Sequence, residues 1–289
     1  MAQKTRFLII GDLHGRMPRL YAKRFDAIIA PGDFCSDESR TYIFEAMRRK
    51  QKNPRFKKDW TDLAGKRKAS NIIAYQLFRG RRILERLNAI GKPVFVVPGN
   101  WDSAEDGTWH ALHADLNRVF DCHGRVIETS RMICIGYGIS SGPEYPIMKE
   151  LQEGLSQKKL AKEIRHFREI AKAYDRLFRR AKKEKKPIIF LTHNVPYNTE
   201  LDLITDRRST RCGLHFGSVL ARYLIEKWQP LICIGGHMHE HFTADQIGKT
   251  VCVNAGFGSF VNIIMDMKGK RISKLQFIRK GKIVEVFKP

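Results

Sequence analysis

Residues 7–15 read Phe7-Leu8-Ile9-Ile10-Gly11-Asp12-Leu13-His14-Gly15: an unbroken apolar run, a glycine, then an Asp-x-His pair. A short apolar run bounded by turn residues is the mark of a strand buried on both faces, as in a parallel sheet covered by helices. The pattern returns four times. Ala27-Ile28-Ile29-Ala30 precedes Pro31-Gly32-Asp33, and Val94-Phe95-Val96-Val97 precedes Gly99-Asn100-Trp101-Asp102. Ile188-Ile189-Phe190-Leu191 precedes Thr192-His193-Asn194, and Leu231-Ile232-Cys233-Ile234 precedes Gly235-Gly236-His237-Met238-His239-Glu240. Helical stretches separate these runs, so the chain reads as α/β with a largely parallel sheet. Every polar donor falls where a strand ends, and the carboxyl ends of the strands line the ligand crevice of an open α/β sheet.

A lone Gly-Asp after a strand is usually a turn, and a lone histidine is usually structural. The ordered set carries the argument. Asp12, His14, Asp33, Asn100, His193, His237 and His239 read together as the ligands of a two-metal hydrolase. Carboxylate, amide oxygen and imidazole converging on one place suit a borderline divalent ion such as Mn²⁺, Fe²⁺, Zn²⁺, Co²⁺ or Ni²⁺. With no thiolate in the set, the pattern argues against a structural zinc site.

These motifs, in this order from Asp12 to His239, resemble those of the calcineurin-like metallophosphoesterase superfamily. The resemblance implies the metallo-dependent phosphatase fold: a four-layer α-β-β-α sandwich of two mixed sheets flanked by helices. It also implies one ion on Asp12, His14, Asp33 and His239 and a second on Asp33, Asn100, His193 and His237. Asp33, Asn100 and His193 take the catalytic roles, with two divalent cofactor ions, manganese first and Fe, Zn, Co or Ni as alternatives. Phosphate ester hydrolysis is the implied activity, and the chemistry agrees. Two ions ~3.5–4 Å apart on a shared carboxylate can hold a hydroxide for in-line attack and neutralise phosphoryl charge.

One position departs from the commonest family pattern. Where many members read Gly-Asn-His-Asp, this chain has Trp101. An indole N–H donates a hydrogen bond but cannot act as a general acid near neutral pH. Loss of such an acid typically costs about 10²–10⁴-fold when the leaving group needs a proton, and less when it leaves well. A phosphodiesterase acting on a nucleotide or small diester is the favoured activity; other branches of the family also lack this histidine, and one of them works as a scaffold.

The 289 residues, 43% of them hydrophobic, are enough for one large core, so residues 1–289 read as a single domain. No apolar stretch approaches the ~18–20 residues needed to span a bilayer, and the N-terminus enters a strand at once, so no membrane partner and a cytoplasmic location are expected. The six cysteines are scattered without a C-x-x-C pair and read as reduced, mostly buried side chains.

The formal charge of +23 is the other informative number. A field this positive attracts polyanions, nucleic acid foremost, although it also keeps a surface solvated. The charge concentrates in a basic insertion at about 36–70, read as a polar loop before a helix from about Asn71 to Ile90, and in the stretch Gln157 to Lys186. In the latter, Leu160, Ile164, Phe167, Ala171, Tyr174, Phe178 and Ala181 recur at helical spacing opposite a face of Lys and Arg. The segment from about Thr250 to Phe287 reads as paired strands closing the second half-sheet. After His193, Arg207, Arg208, Arg211 and His215 are expected, with Trp101, to face substrate, and a helix starting near Gly217-Ser218 offers backbone N–H groups to an anion. Three function classes follow: a small-diester phosphodiesterase, a nuclease using the basic surface, and a non-catalytic binding protein on this fold.

Overall fold

The computed structural model describes residues 4–102, 107–147 and 155–289. In the first sheet β1 (Lys4–Ile10), β2 (Ala27–Ala30), β3 (Val94–Val96) and β4 (Val119–Asp121) run parallel. The other edge of β1 carries an antiparallel set, β11 (Val261–Lys268), β12 (Arg271–Arg279) and β13 (Lys282–Phe287). The second sheet has the order β5 (Val126–Glu128), β6 (Ile133–Tyr137), β7 (Ile188–Asn194), β8 (Ile232–Gly236), β10 (Thr250–Asn254), β9 (Ala244–Ile247). Its four central strands are parallel and its two edges antiparallel.

Alternation along the strands explains the layering. Phe7, Ile9, Ile29 and Phe95 meet Ile189, Leu191, Ile232, Ile234 and Val253 in one apolar layer between the sheets. Their neighbours Leu8, Ile10, Ile28 and Val96 point the other way, onto Ile83, Leu84 and Leu87 of α3 (Lys66–Asn88) and onto Trp109 and Leu112 of α4 (Thr108–His113). On the far side, Ile188, Phe190 and Cys233 pack under α5 (Gln157–Lys183) and α6 (Val219–Trp228). Both faces of the central parallel strands are covered, which is why those strands read as continuous apolar runs. The result is the expected four-layer α-β-β-α sandwich. In α5, Ala171, Tyr174, Phe178 and Ala181 are buried on the face that the spacing picked out. Asp175 clamps α5 to α6 by accepting from Tyr223, Lys227 and Trp228.

Two sequence expectations are corrected. The segment 36–70 is not a loop: it holds α1 (Arg40–Lys52), α2 (Trp60–Ala64) and the first turn of α3, which begins at Lys66. Local bonds stabilise these helices despite the charge. Glu45 pairs with Arg48 and Arg49, Asp59 and Asp62 form a capping box, and Tyr42 of α1 lies under the Lys68 ammonium of α3. Second, only β10 of the 250–287 segment joins the second sheet; β11 to β13 extend the first. The chain crosses back after Asn254 because β1 has an open edge there, and Ile263, Met265 and Met267 complete the layer between the sheets. Five of the six cysteines are buried and all are free; Cys212 is exposed. Among the described residues, no helix is long and apolar enough to cross a membrane.

Candidate metal centre

The five motifs converge at the carboxyl ends of β1, β2 and β3 from one sheet and β7 and β8 from the other. Asp12 bridges to Phe257, the Asp33 turn follows β2, and Asn100 follows β3. His193 lies inside β7 near its end, whereas His237 and His239 follow β8 directly. Three of these residues, His14, Asp33 and His237, have left-handed backbone, with φ of 44°, 54° and 65°. Such a conformation costs an ordinary residue about 1–2 kcal/mol and persists only where its surroundings hold it. Here they do: the Asp33 carbonyl accepts from both Leu13 N and His14 N, and His237 N donates to Asp12 Oδ2 at 2.6 Å.

Two donor groups share one residue. Asp12, His14, Asp33 and His239 form one; Asp33, His193 and His237 form the other, each with its ligand atoms within 4.8 Å of one another. Asn100 joins the second group, its Oδ1 lying 2.9 Å from His193 Nε2. His193 Nδ1 lies 2.9 Å from the Pro31 carbonyl, which can only accept, so that nitrogen carries a proton. In neutral His193 the Nε2 lone pair therefore faces Asn100 Oδ1 and, at 3.5 Å, Asp33 Oδ2. On the other side, His14 Nε2 is 3.3 Å from both His239 Nε2 and Asp33 Oδ2, and His239 Nε2 is 3.4 Å from Asp12 Oδ2. Around His193, whose tautomer is fixed, lone pairs pointing at one another repel unless a cation lies between them.

The buried polar atoms report the same demand. Asp12 Oδ1, Asp33 Oδ2 and His14 Nδ1 have no hydrogen-bond partner, although buried polar groups are otherwise almost always satisfied. Glycines make room for the carboxylates: a Cβ at Gly236 would meet Asp12 Oδ1 at 2.2 Å, and one at Gly99 would meet Asp33. The donor set thus fits two divalent ions. Electrostatics bias it the same way. Burial works against ionising Asp33, but His193 and His14 hold its carboxyl well below the usual carboxylate range. Burial and the neighbouring His193 push His237 down to about 4, leaving a neutral ring with a free lone pair.

Further groups support the centre. Asp102, fully buried, accepts from Cys35 N at 2.8 Å and Gly99 N at 2.7 Å, tying the Asp33 turn to the Asn100 turn. Burial and the charge of Asp33 raise its pKa to about 6. Asp37 stands 3.6 Å from His14 Nδ1, and the Phe257 ring stacks on His239 with centroids 4.1 Å apart. No sequence signal marks Asp37 or Phe257, whereas Asp102 was visible as the last residue of the Gly-Asn-x-Asp motif.

The residues expected to face substrate have the following surroundings. Trp101 is beside the centre: its backbone N–H donates to Asp33 Oδ1 at 2.9 Å and its ring meets His14 edge-on. Arg207 is exposed, Arg208 is paired with Asp206, Arg211 lies over the Phe216 ring, and His215 Nδ1 is 2.8 Å from Asp202. At the N-terminus of α6 several N–H groups are already taken up within the protein. Gly217 N donates to Asp202, Leu220 N to Glu144, and Ala221 N to the Ser218 hydroxyl.

Residues 5–241 match the model of the calcineurin-like phosphoesterases. The chain belongs to this family. An uncharacterized protein of Methanocaldococcus jannaschii is 25% identical to this phosphoesterase over 181 residues, 61% of this chain and 70% of the relative. One crystal structure superposes with a TM-score of 0.62 at 14% identity, covering 96% of this chain and 99% of the other. A proposed 5′-nucleotidase from Staphylococcus aureus gives 0.52 at 11% identity over 96% of this chain, which spans 54% of that longer protein. At such identities these structures establish the shared metallo-dependent phosphatase fold, and the family match establishes a phosphoesterase with the means to bind metal.

Proposed function

We propose that this phosphoesterase is a phosphodiesterase that binds two divalent ions, manganese foremost. One ion is assigned to Asp12, His14, Asp33 and His239, the other to Asp33, Asn100, His193 and His237. The observation that carries the reading is the pair of donor groups sharing Asp33, with the His193 lone pair facing Asn100 and Asp33 across the second. When bound, the ions supply charge neutralisation at the phosphoryl oxygens and a water acidified towards neutral pH.

The chain's own residues contribute positioning. Trp101 N fixes Asp33 Oδ1, which leaves Oδ2 turned towards both histidine groups. The Pro31 carbonyl fixes the His193 ring and its tautomer, so Nε2 presents a lone pair with Asn100 Oδ1 at its side. Asp102 holds the Asn100 turn through Gly99 N. At the position next to Asn100 the chain supplies an indole and no titratable imidazole, so it has no acid there for an alkoxide leaving group. Diesters with stabilised leaving groups, nucleotide esters among them, match that deficit.

Turnover of bis-p-nitrophenyl phosphate by the full chain, titrated with Mn²⁺ after chelation, tests the reading. Activity should return with two ions per chain. No turnover at saturating metal would leave a binding protein on this fold as the better account.

A further inference from the structure

Cation–aromatic pairs flank the metal centre on both sides of the turn that carries His14. On α3, the guanidinium of Arg79 lies 5.7 Å from the Tyr75 ring centroid and that of Arg82 lies 5.8 Å from the Phe78 centroid. Tyr75, Phe78, Arg79 and Arg82 follow one another at helical spacing and form a single stripe. Arg79 fixes the stripe to the centre, because its Nε and Nη2 donate to the Gly15 carbonyl at 2.9 and 2.5 Å, one residue from His14. Beyond Gly15 the pattern continues. Arg16 lies 5.0 Å from the Phe257 centroid and Arg19 lies 4.8 Å from that of Phe260. Phe257 in turn stacks on His239.

These rings are not core. Tyr75, Phe78 and Phe260 are 45%, 54% and 41% exposed, in positions where a soluble protein gains nothing by showing large apolar groups to water. The charge along the same path is one-sided. Residues 13–25 hold Arg16, Arg19, Lys23 and Arg24 with no carboxylate, and α3 holds seven cations against Glu85, which is paired with Arg81. The α5 face is as basic but lacks this interleaving: its large apolar side chains turn inward to the second sheet. Cations alone attract any polyanion; cations alternating with open rings suit a polyanion whose flat bases are free to stack.

We propose that this track binds single-stranded nucleic acid, with bases on Tyr75, Phe78 and Phe260 and phosphates on the paired arginines, so that the strand passes the metal centre. The inference rests on the phosphoesterase reading for the fate of the strand, but the binding itself does not need hydrolysis. A duplex has its bases already stacked and should use the cations only.

The experiment is fluorescence anisotropy of a labelled ~20-nucleotide oligothymidylate and a duplex of equal length with the full chain, in EDTA and again with Mn²⁺. The single strand should bind more tightly than the duplex, and Tyr75→Ala with Phe78→Ala should weaken it about tenfold or more while duplex binding barely moves. Tyr75→Phe should retain binding. Photo-crosslinking of a 5-iodouracil-substituted strand to the unmutated chain supplies a readout that needs no variant, with adducts expected on Tyr75, Phe78 or Phe260. Equal binding of duplex and single strand, an unaffected double variant, or adducts confined to α5 would overturn the proposal. Because binding is read in EDTA, its failure would leave diester turnover untouched, and loss of turnover would leave the binding result standing.

Discussion

Gly236→Ala is the sharpest test of the centre, because its effect follows from one distance. Gly236 ends β8, and a Cβ there would lie 2.2 Å from Asp12 Oδ1 and 3.0 Å from its Cγ. To reach ordinary contact the carboxylate must retreat by roughly 1 Å. It has little freedom to do so, since Asp12 N donates to the Gly256 carbonyl at 3.0 Å and Oδ2 accepts from His237 N at 2.6 Å. Metal ligands tolerate displacements of about 0.2 Å, so a ~1 Å shift removes Asp12 as a useful ligand. Outer-sphere changes alone typically weaken binding about 10–100-fold, and displacement of a ligand should reach at least ~100-fold at the site that uses it. Overpacking adds a stability cost of about 1–3 kcal/mol. Isothermal titration with Mn²⁺ should show the ion on Asp12, His14, Asp33 and His239 lost or greatly weakened, and the other weakened far less. Gly235→Ala is the control: its Cβ would press on Val195, 3.0–3.1 Å away, and not on a ligand. It should lower Tm and leave metal binding in place. A folded Gly236→Ala protein that binds two ions with the affinity of the unmutated chain would refute the reasoning.

Asp33→Asn, at the residue common to both donor groups, should reduce bound metal from two ions to at most one, measured by metal analysis of the reconstituted protein; unchanged stoichiometry and affinity would count against a shared ligand. Trp101→His should restore part of the ~10²–10⁴-fold that a positioned general acid supplies on alkyl monoesters, while the unmutated chain prefers aryl diesters; equal kcat/KM for aryl and alkyl leaving groups in the unmutated chain would mean that another residue already provides the proton. Glu144 is half-buried against the start of α6, and desolvation raises its pKa even though Ser218 and Leu220 N favour the charged form. A carboxyl group raised in the fold is most favourable to stability when protonated in both states, so its contribution is full below 4.5 and declines as pH climbs through the raised value. Glu144→Gln should therefore flatten the fall in Tm over that window, and an unaltered Tm profile would argue against a titrating acid there.

The sequence by itself determined the apolar strands, the order of the candidate ligand motifs and the family. Apolar runs such as Phe7–Ile10 and Ile188–Leu191 are continuous because both of their faces are buried, and that demand is written locally. The same holds for α5, whose apolar positions recur at helical spacing, and for the five candidate ligand motifs, each set at the end of its own strand. Where the outcome depended on a distant partner, the sequence was silent or misleading. Residues 36–70 read as a polar loop, yet Glu45 and the Asp59–Asp62 box stabilise helices there. Strands β11 to β13 could have served either sheet, and the open edge of β1 decided it through pairings such as Ile10 with Asn262. Gly217 and Ser218 looked like an open anion site until Glu144 and Asp202 occupied their end of the helix. Only the tertiary structure could choose the tautomer of His193, because the carbonyl that fixes it belongs to Pro31, 162 residues away in the chain. Local patterns record how much of a segment must be buried; which segment buries it is settled by packing among residues far apart in sequence.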